Sequence, residues 1–519
     1  MTTANLSQWA AACASALLLL TLTTSGPASA QAEVRDLGSR LELFVDDWLI
    51  ESMEGAELQL HHPVPRELVW PDTNQVSEEV WGGANRSVTV FQDGDIYRMY
   101  YRDYAVVDNP VLVPDGFGDE NIVCCYAESR DGIHWERPDL NIFPTKDLKH
   151  NNIVWAGTGG TNFAVFKDTN PNCKPEARYK AIGRAMYQEG KDPSPPQPDA
   201  TGYNWPSRTG LVAFQSPDGI HWSLMQEERI IKKGEFDSYN VAFWDAARER
   251  YAAFIRVWMP DGAGIRSVAT LTSEDFLHWS DPPQWLQYGD VPAEHLYDNN
   301  ILAYPRAPHL LMGLPMRLVG GRTKIPGNPL PDETAVDDTV LMTSRDGINF
   351  HRWREAFIRP GPLPGGWWNE NNCVAWGFVV TKSGIEGAPD ELSFYMNEYY
   401  GSPQGNLRRY TLRMDGFVSV NAPCAGGEMM TRPLVFQGKE LVLNYETSAV
   451  GSVQVEIQNQ AGAPLPGFAL ADCPEIYGDA IEEVVKWQGG SDVSSLAGQA
   501  VRLRFLMKDA DLYSIRFRP

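Results

Sequence analysis

A short motif recurs along this chain, and recurrence of this kind limits the architecture more than any single residue does. Ser129-Arg-Asp-Gly-Ile-His-Trp135 returns as Ser216-Pro-Asp-Gly-Ile-His-Trp222, as Ser273-Glu-Asp-Phe-Leu-His-Trp279 and as Ser344-Arg-Asp-Gly-Ile-Asn-Phe350. Arg413-Met-Asp-Gly-Phe417 is a weaker form. The four clear copies begin 87, 57 and 71 residues apart. Each follows a short apolar stretch (123–127, 211–215, 268–271, 340–343) and ends in an aromatic residue. Asp-Gly suits a tight hairpin, because glycine supplies positive φ and Asp accepts from nearby backbone amides. The aromatic can then pack between neighbouring repeats.

Two more apolar stretches precede each copy. The first set is 87–91, 162–166, 240–244, 300–304 and 372–378; the second is 97–101, 179–183, 251–257, 309–315 and 392–397. The unit is therefore strand, turn, strand, loop, strand, Asp-Gly turn, strand. Five such units fit between Ser87 and Val420, and four-stranded units arranged radially make a β-propeller. Beyond Val420 the pattern changes to short strands at 434–436, 441–445, 453–457, 483–487, 501–507 and 512–517, the pattern of a sandwich. The sequence thus predicts an all-β chain: a five-bladed β-propeller over 31–424 followed by a C-terminal β-sandwich over 425–519. Composition agrees, since 17 Trp, 20 Tyr, 20 Phe, 45 Gly and 37 Pro favour many short strands and turns.

Residues 1–30 read as a signal peptide. An apolar run from Ala10 to Leu22 leads to Ala28-Ser29-Ala30, a cleavage signal, and the run is too short to span a bilayer. The expected location is periplasmic or extracellular. A net charge of −23 argues against nucleic acid or an anionic membrane as partner. Six cysteines follow the leader without C-x-x-C spacing, so a zinc site is not expected; free thiols and disulfides both stay open.

Residues that repeat belong to scaffold, so chemistry is sought in the irregular loops before each innermost strand, which a propeller brings together. They carry Glu78, Glu79, Asn85 and Arg86; Thr161 and Asn162; Asp237, Tyr239 and Asn240; Glu294, His295, Tyr297 and Asp298; and Trp367, Trp368, Glu370 and Asn371. Two carboxylates across a pocket are what glycosidic bond hydrolysis needs, one to protonate the leaving oxygen and one to attack or activate water. Asp237 and Glu294 are the expected pair, with Glu370 and Asp47 as substitutes. Asp47 enters because Asp46 and Asp47 interrupt an apolar stretch, where strand alternation would turn one of them inward. Arg86, Asn162, Asn240, His295, Asp298, Trp368 and Asn371 are expected to contact substrate, with Trp offering a flat face to a sugar ring. No cofactor is required; oxygens of Asp and Asn around the channel would suit a structural calcium. Phosphate-loop, dinucleotide, nucleophile-elbow and zincin motifs are absent from the sequence.

The Ser-x-Asp-Gly-x-x-Trp repeat, the count of five and the trailing sandwich resemble the five-bladed glycoside hydrolases of families 32 and 43. That resemblance implies an acid and a base on innermost strands of different blades. It spans most of 40–519 and is architectural: Arg102-Asp103-Tyr104 half matches the family 32 Arg-Asp-Pro motif, while its Asn-Asp-Pro-Asn-Gly and Glu-Cys-Pro motifs are absent. Leu43-Phe-Val-Asp-Asp-Trp-Leu-Ile50 resembles the start of uncharacterised bacterial proteins of this type. The expected function is that of an exported glycoside hydrolase acting on an oligo- or polysaccharide. The rivals are a non-catalytic glycan-binding propeller and a glycoside phosphorylase, which would need a basic cluster for phosphate.

Overall fold

A computed structural model describes residues 33–69, 86–109, 111, 121–145, 150–186, 209–260, 264–323, 335–368, 371–400 and 405–519. The expected leader lies outside these. Among the described residues no helix is long and apolar enough to cross a membrane.

Five antiparallel sheets form the blades of a β-propeller. Blade one comprises Arg86–Asp93, Ile96–Tyr104, Ile122–Ser129 and Trp135–Glu136; blade two, Ala164–Lys167, Tyr179–Met186, Thr209–Ser216 and Ser223–Leu224; blade three, Val241–Asp245, Arg250–Trp258, Arg266–Ser273 and Gln284–Trp285. Blade four runs from Leu302–Tyr304 through Ala307–Gly313 and Met316–Val319 to Val336–Ser344 and Phe350–Ile358. Blade five takes Val379–Thr381, Glu391–Glu398 and Asn406–Arg413 from late in the chain, and its outer strand, Val64–Leu68, from the beginning. This pairing closes the ring.

The repeat motif proves to be a hydrogen-bonded turn. In each copy the Ser hydroxyl accepts the N–H of the fourth motif residue at 2.9 Å, whether Gly132, Gly219, Phe276 or Gly347. One Asp oxygen takes two backbone amides and the other takes His134, His221, His278 or Asn349. Burial alone would raise these carboxyl groups, but the bonds from the His side chain and backbone win and hold Asp218 and Asp275 at about 2. The turn also fastens blades together: the Gly132 carbonyl accepts Tyr395 of blade five, and the Gly219 carbonyl accepts Tyr100 of blade one. The degenerate copy places Phe276 at φ 72°, a strained value for a side chain that is here fully buried against Phe166, Tyr251 and Trp279.

Antiparallel pairing sorts the loops onto two faces. The chain enters each innermost strand on one face, where the second strands also end; the Asp-Gly turns lie on the other. We call these the entry face and the turn face.

A ten-stranded sheet makes the second unit, with its own core around Met429, Phe436, Leu443, Val455, Trp487 and Phe505. The stretches expected as separate strands at 441–445 and 453–457 are one strand, Glu440–Asn459, and those at 501–507 and 512–517 are Val501–Arg518. Register shifts at Asn444/Tyr445 and Thr447/Ser452 interrupt their pairing, which is why the alternation breaks in sequence. Arg35–Gly38, Leu41–Leu43, Ile50–Glu54 and Glu57–Leu60 also pair into this sheet, so the propeller does not start at residue 31.

This unit covers the turn face of blades four and five. Glu42 is fully buried and meets Arg345 at 2.7 Å and His309 at 3.1 Å, while Asp46 accepts Arg345 at 2.9 and 3.0 Å. Arg413 reaches Asn444 and the Tyr445 carbonyl, both at 2.9 Å. Burial pushes the Glu42 carboxyl up, but the His309 bond and the Arg345 charge hold it below its ordinary value. Its folded pKa is therefore lower than its unfolded one, so its contribution is complete above the unfolded value and is lost as pH falls through the folded one. Arg345→Met should cost about 3 kcal/mol, because it leaves Glu42 buried with a weaker partner set. Denaturant titration of wild type and variant at pH 7 checks this, and the difference should shrink as pH drops below about 4.

Candidate functional site on the entry face

The entry to an innermost strand carries a buried polar residue at positive φ in four blades: Ser87 (51°), Asn162 (56°), Asn300 (47°) and Asn372 (60°). These side chains tie blades to one another. Ser87 donates to Asn162 at 2.7 Å, Asn300 donates to the Val374 carbonyl at 2.7 Å, and Asn372 donates to the Asp337 carbonyl at 2.7 Å. Asn240, at the corresponding place in blade three, accepts the Arg256 N–H at 2.8 Å and donates to the Ser238 carbonyl. Asn162 and Asn240, expected to meet substrate, are thus engaged in holding the strand entries.

Asp298 occupies the junction of blades three, four and five. It is 1% exposed. One carboxylate oxygen accepts the Tyr239 N–H at 2.7 Å, and the other accepts the Cys373 thiol at 3.4 Å. Tyr239 in turn reaches Thr89 and the Phe163 carbonyl, so a chain of polar contacts crosses from blade four through blade three to blades one and two. Asp237 lies two residues before Tyr239. Its side chain is 73% exposed and meets Arg184 at 3.1 Å.

The expected partner of Asp237 is placed differently. Glu294 is ion-paired with Arg317 and with Arg352, and Arg352 stands on the outermost strand of blade four. Asp47 is a correction. Residues 45–49 are bends rather than strand; Asp46 takes the inward role on Arg345, and Asp47 is exposed in the second unit. That unit packs on the turn face, so Asp47 does not reach the entry loops. Trp368 is 7% exposed, with its indole N–H buried, which removes it as an open stacking platform. Asn371 is fully buried and accepts the Tyr400 N–H at 2.8 Å. His295 accepts the Arg266 N–H at 3.2 Å through Nδ1. Glu370 and the Arg86 side chain fall outside the described residues.

Among the described residues all six cysteines are free. No three His, Cys, Asp or Glu side chains among them gather as a metal site would require, so the calcium expectation gains no ligand set there.

Sequence reasoning passed over a second regularity. Tyr97, Tyr179 and Tyr251 hold the same register on the second strands of blades one to three, and five residues later stand Arg102, Arg184 and Arg256. All three arginines therefore reach the entry face. Arg102 donates to the Tyr400 hydroxyl at 2.6 Å. Beside it Asp103 is buried, and burial raises its carboxyl to about 6 against the opposing Tyr104 N–H and the charges of Arg137 and Arg102. A cavity of about 600 Å³ lies between blades four and five, lined by His62, Arg66, Glu398, Tyr399 and Arg408 among others. Another of about 530 Å³, walled by Phe166, Phe243, Trp244, Trp376 and Phe378, opens the channel on the turn face.

No family model matches the chain, and no curated protein is similar to it. Solved structures similar to it include a family 43 arabinoxylan arabinofuranohydrolase from Bacillus subtilis, 11% identical over 87% of this chain and 99% of that one, with a TM-score of 0.36. A thermostable family 43 glycoside hydrolase is 10% identical over 66% and 95%, with a TM-score of 0.39. A β-1,2-mannobiose phosphorylase from Listeria innocua is 12% identical over 68% and 96%, with a TM-score of 0.39. Likeness at this level leaves function to be argued from the site.

Asp103 yields a test of the entry face. Its folded pKa of about 6 exceeds the unfolded value, so the stability it contributes is full below the unfolded pKa and is lost as pH rises through about 6. The cost at pH 8 is on the order of 3 kcal/mol. Asp103→Asn removes the charge, so it should melt higher than wild type at pH 8 and close to wild type at pH 4, read by calorimetry at both.

Proposed function

We propose that this chain is a glycan-acting enzyme that cleaves a glycosidic bond at the entry face of its propeller, with Asp298 and Asp237 as its two acidic groups. The observation that carries the reading is the burial of Asp298 where three blades meet. A carboxylate withdrawn from water there must be held by donors, and Tyr239 N–H and the Cys373 thiol supply them. Asp237 sits two residues from one of those donors on the neighbouring blade and stays open to solvent. One dry acid and one wet acid on adjacent loops give the asymmetry that hydrolysis requires, since different surroundings let two like groups take different roles. Glu294 is less suited, because two arginines of its own blade, Arg317 and Arg352, occupy its oxygens. An exported location and a saccharide substrate belong to the same proposal.

A panel of oligo- and polysaccharides scored for released reducing ends tests it. Asp298→Asn and Asp237→Asn should each lower turnover by at least about 10²-fold while circular dichroism stays unchanged. Near-normal turnover in both variants, or no release from any glycan, would overturn the assignment. Glu294→Gln should keep most of the activity.

A further inference from the structure

Arg256 is the exception among the three arginines that share a register. Arg184 has its carboxylate and Arg102 its tyrosine hydroxyl. The Arg256 side chain is 95% buried by its 5% exposure, yet among the described residues its guanidinium makes no hydrogen bond and no ion pair; its Nε is buried without a partner. Its one neighbour of note is the Tyr297 ring, 4.8 Å from Cζ to centroid. A second guanidinium, Arg266, lies 5.3 Å from the same centroid.

Burying a cation without a counter-ion is costly, and placing a second cation beside it raises the cost. Acids outnumber bases 67 to 44 in this chain, so a carboxylate partner was available in composition and is not used. The cost is recovered when an anion arrives. Two guanidinium groups braced on one aromatic ring present planar donor forks suited to the flat or tetrahedral oxygens of an oxyanion. His295 adds a donor: its Nδ1 is occupied in accepting from Arg266, so the proton of the neutral ring sits on Nε2. Burial and the Arg266 charge both lower the His295 pKa, which keeps that ring neutral.

The position matters as much as the charge. Tyr297 immediately precedes Asp298, and the Arg256 N–H is held by Asn240, the residue after Tyr239. The cluster therefore borders the acidic centre on the side of blades three and four. We propose that Arg256 and Arg266, braced on Tyr297, bind an oxyanion carried by or consumed with the substrate: the carboxylate of a uronic acid residue or free phosphate. This rests on the glycan-acting reading for its substrate but not for its test.

The test is binding, which needs no turnover. Full-length protein is titrated calorimetrically with glucuronate, galacturonate and inorganic phosphate, and with glucose and galactose as neutral counterparts. The proposal expects at least one anion to bind, the neutral sugars to bind at least tenfold more weakly than the matching uronate if a uronate is the ligand, and affinity to fall at least tenfold in Arg256→Met. Uronate binding identifies an acidic saccharide; phosphate binding alone identifies a phosphorolytic co-substrate. Arg256→Met should also melt no lower than wild type, because it removes an unpaired buried charge, whereas an arginine with only a structural role would lower the melting temperature. Arg256→Lys, which keeps charge but loses the fork, should bind with intermediate affinity and serves if the Met variant fails to fold. Absence of anion binding in wild type, or binding unchanged in Arg256→Met and Arg256→Lys, overturns the proposal. Near-normal glycan turnover in the Asp298 and Asp237 variants of the earlier experiment, with anion binding intact, would count against the acidic pair alone.

Discussion

Closure of the ring by Val64–Leu68 is the constraint on which the rest of the molecule depends. Three strands from the end of the repeat cannot complete a blade, and the missing edge is supplied by a segment more than three hundred residues earlier, which pairs from Val64 with Thr411 to Leu68 with Arg408. Arg409 with Glu67 and Arg66 with Thr411 reinforce the seam. An open blade would expose unpaired strand groups, so pairing removes an edge and fixes the number of blades together. It also brings the chain just before residue 64 beside the chain just after residue 413. The four N-terminal strands then have one place to go, the sheet built by the C-terminal segment. The second unit is thus a consequence of closure, and its docking on the turn face through Glu42, Arg345 and Arg413 leaves the entry face to the site.

Much of the propeller was legible because the repeat writes its turns in sequence. The innermost and second strands of blades one to three fall where the apolar stretches predict them, within a few residues. Closure was not legible. Val64–Leu68 has no buried side chain, so it shows no alternation, and its role exists only in its backbone bonds. The four earlier strands were hidden for a related reason: their pairing partners lie at the far end of the chain, and local pattern carries no information about that distance. The bends at 45–49 show the limit of alternation as an argument, since Asp46 is inward without being in a strand.

The site was legible in part. The loops before the innermost strands do hold the buried polar residues, and Asp237 and Asp298 are among those named from sequence. Glu294 is suggested by its nearness in sequence to His295 and Asp298. Its carboxylate is instead taken up by Arg317 of the second strand and Arg352 of the outermost strand of the same blade. Asn162 and Asn240 lie in the expected loops and there hold the strand entries. Their positive φ or backbone contacts suit a short polar side chain whether or not a ligand is present.

The arginines show why a rule that assigns regular residues to scaffold and irregular ones to chemistry needs refinement. Tyr-x-x-x-x-Arg is as regular as the Asp-Gly turn in three blades, yet its members do different work. A repeat fixes where a side chain stands; its neighbours decide whether it is satisfied there. Every turn Asp finds equivalent donors, two backbone amides and a His or Asn side chain, so repetition there means identical function. Arg184 finds Asp237, Arg102 finds Tyr400, and Arg256 finds a ring and another cation. A repeated register supplies the position without charge balance, and the facing loop decides whether a partner stands there. Chemistry is then sought where a repeated polar residue lacks the kind of partner that its copies have, because an uncompensated buried charge is costly and an anion from outside the chain offsets that cost.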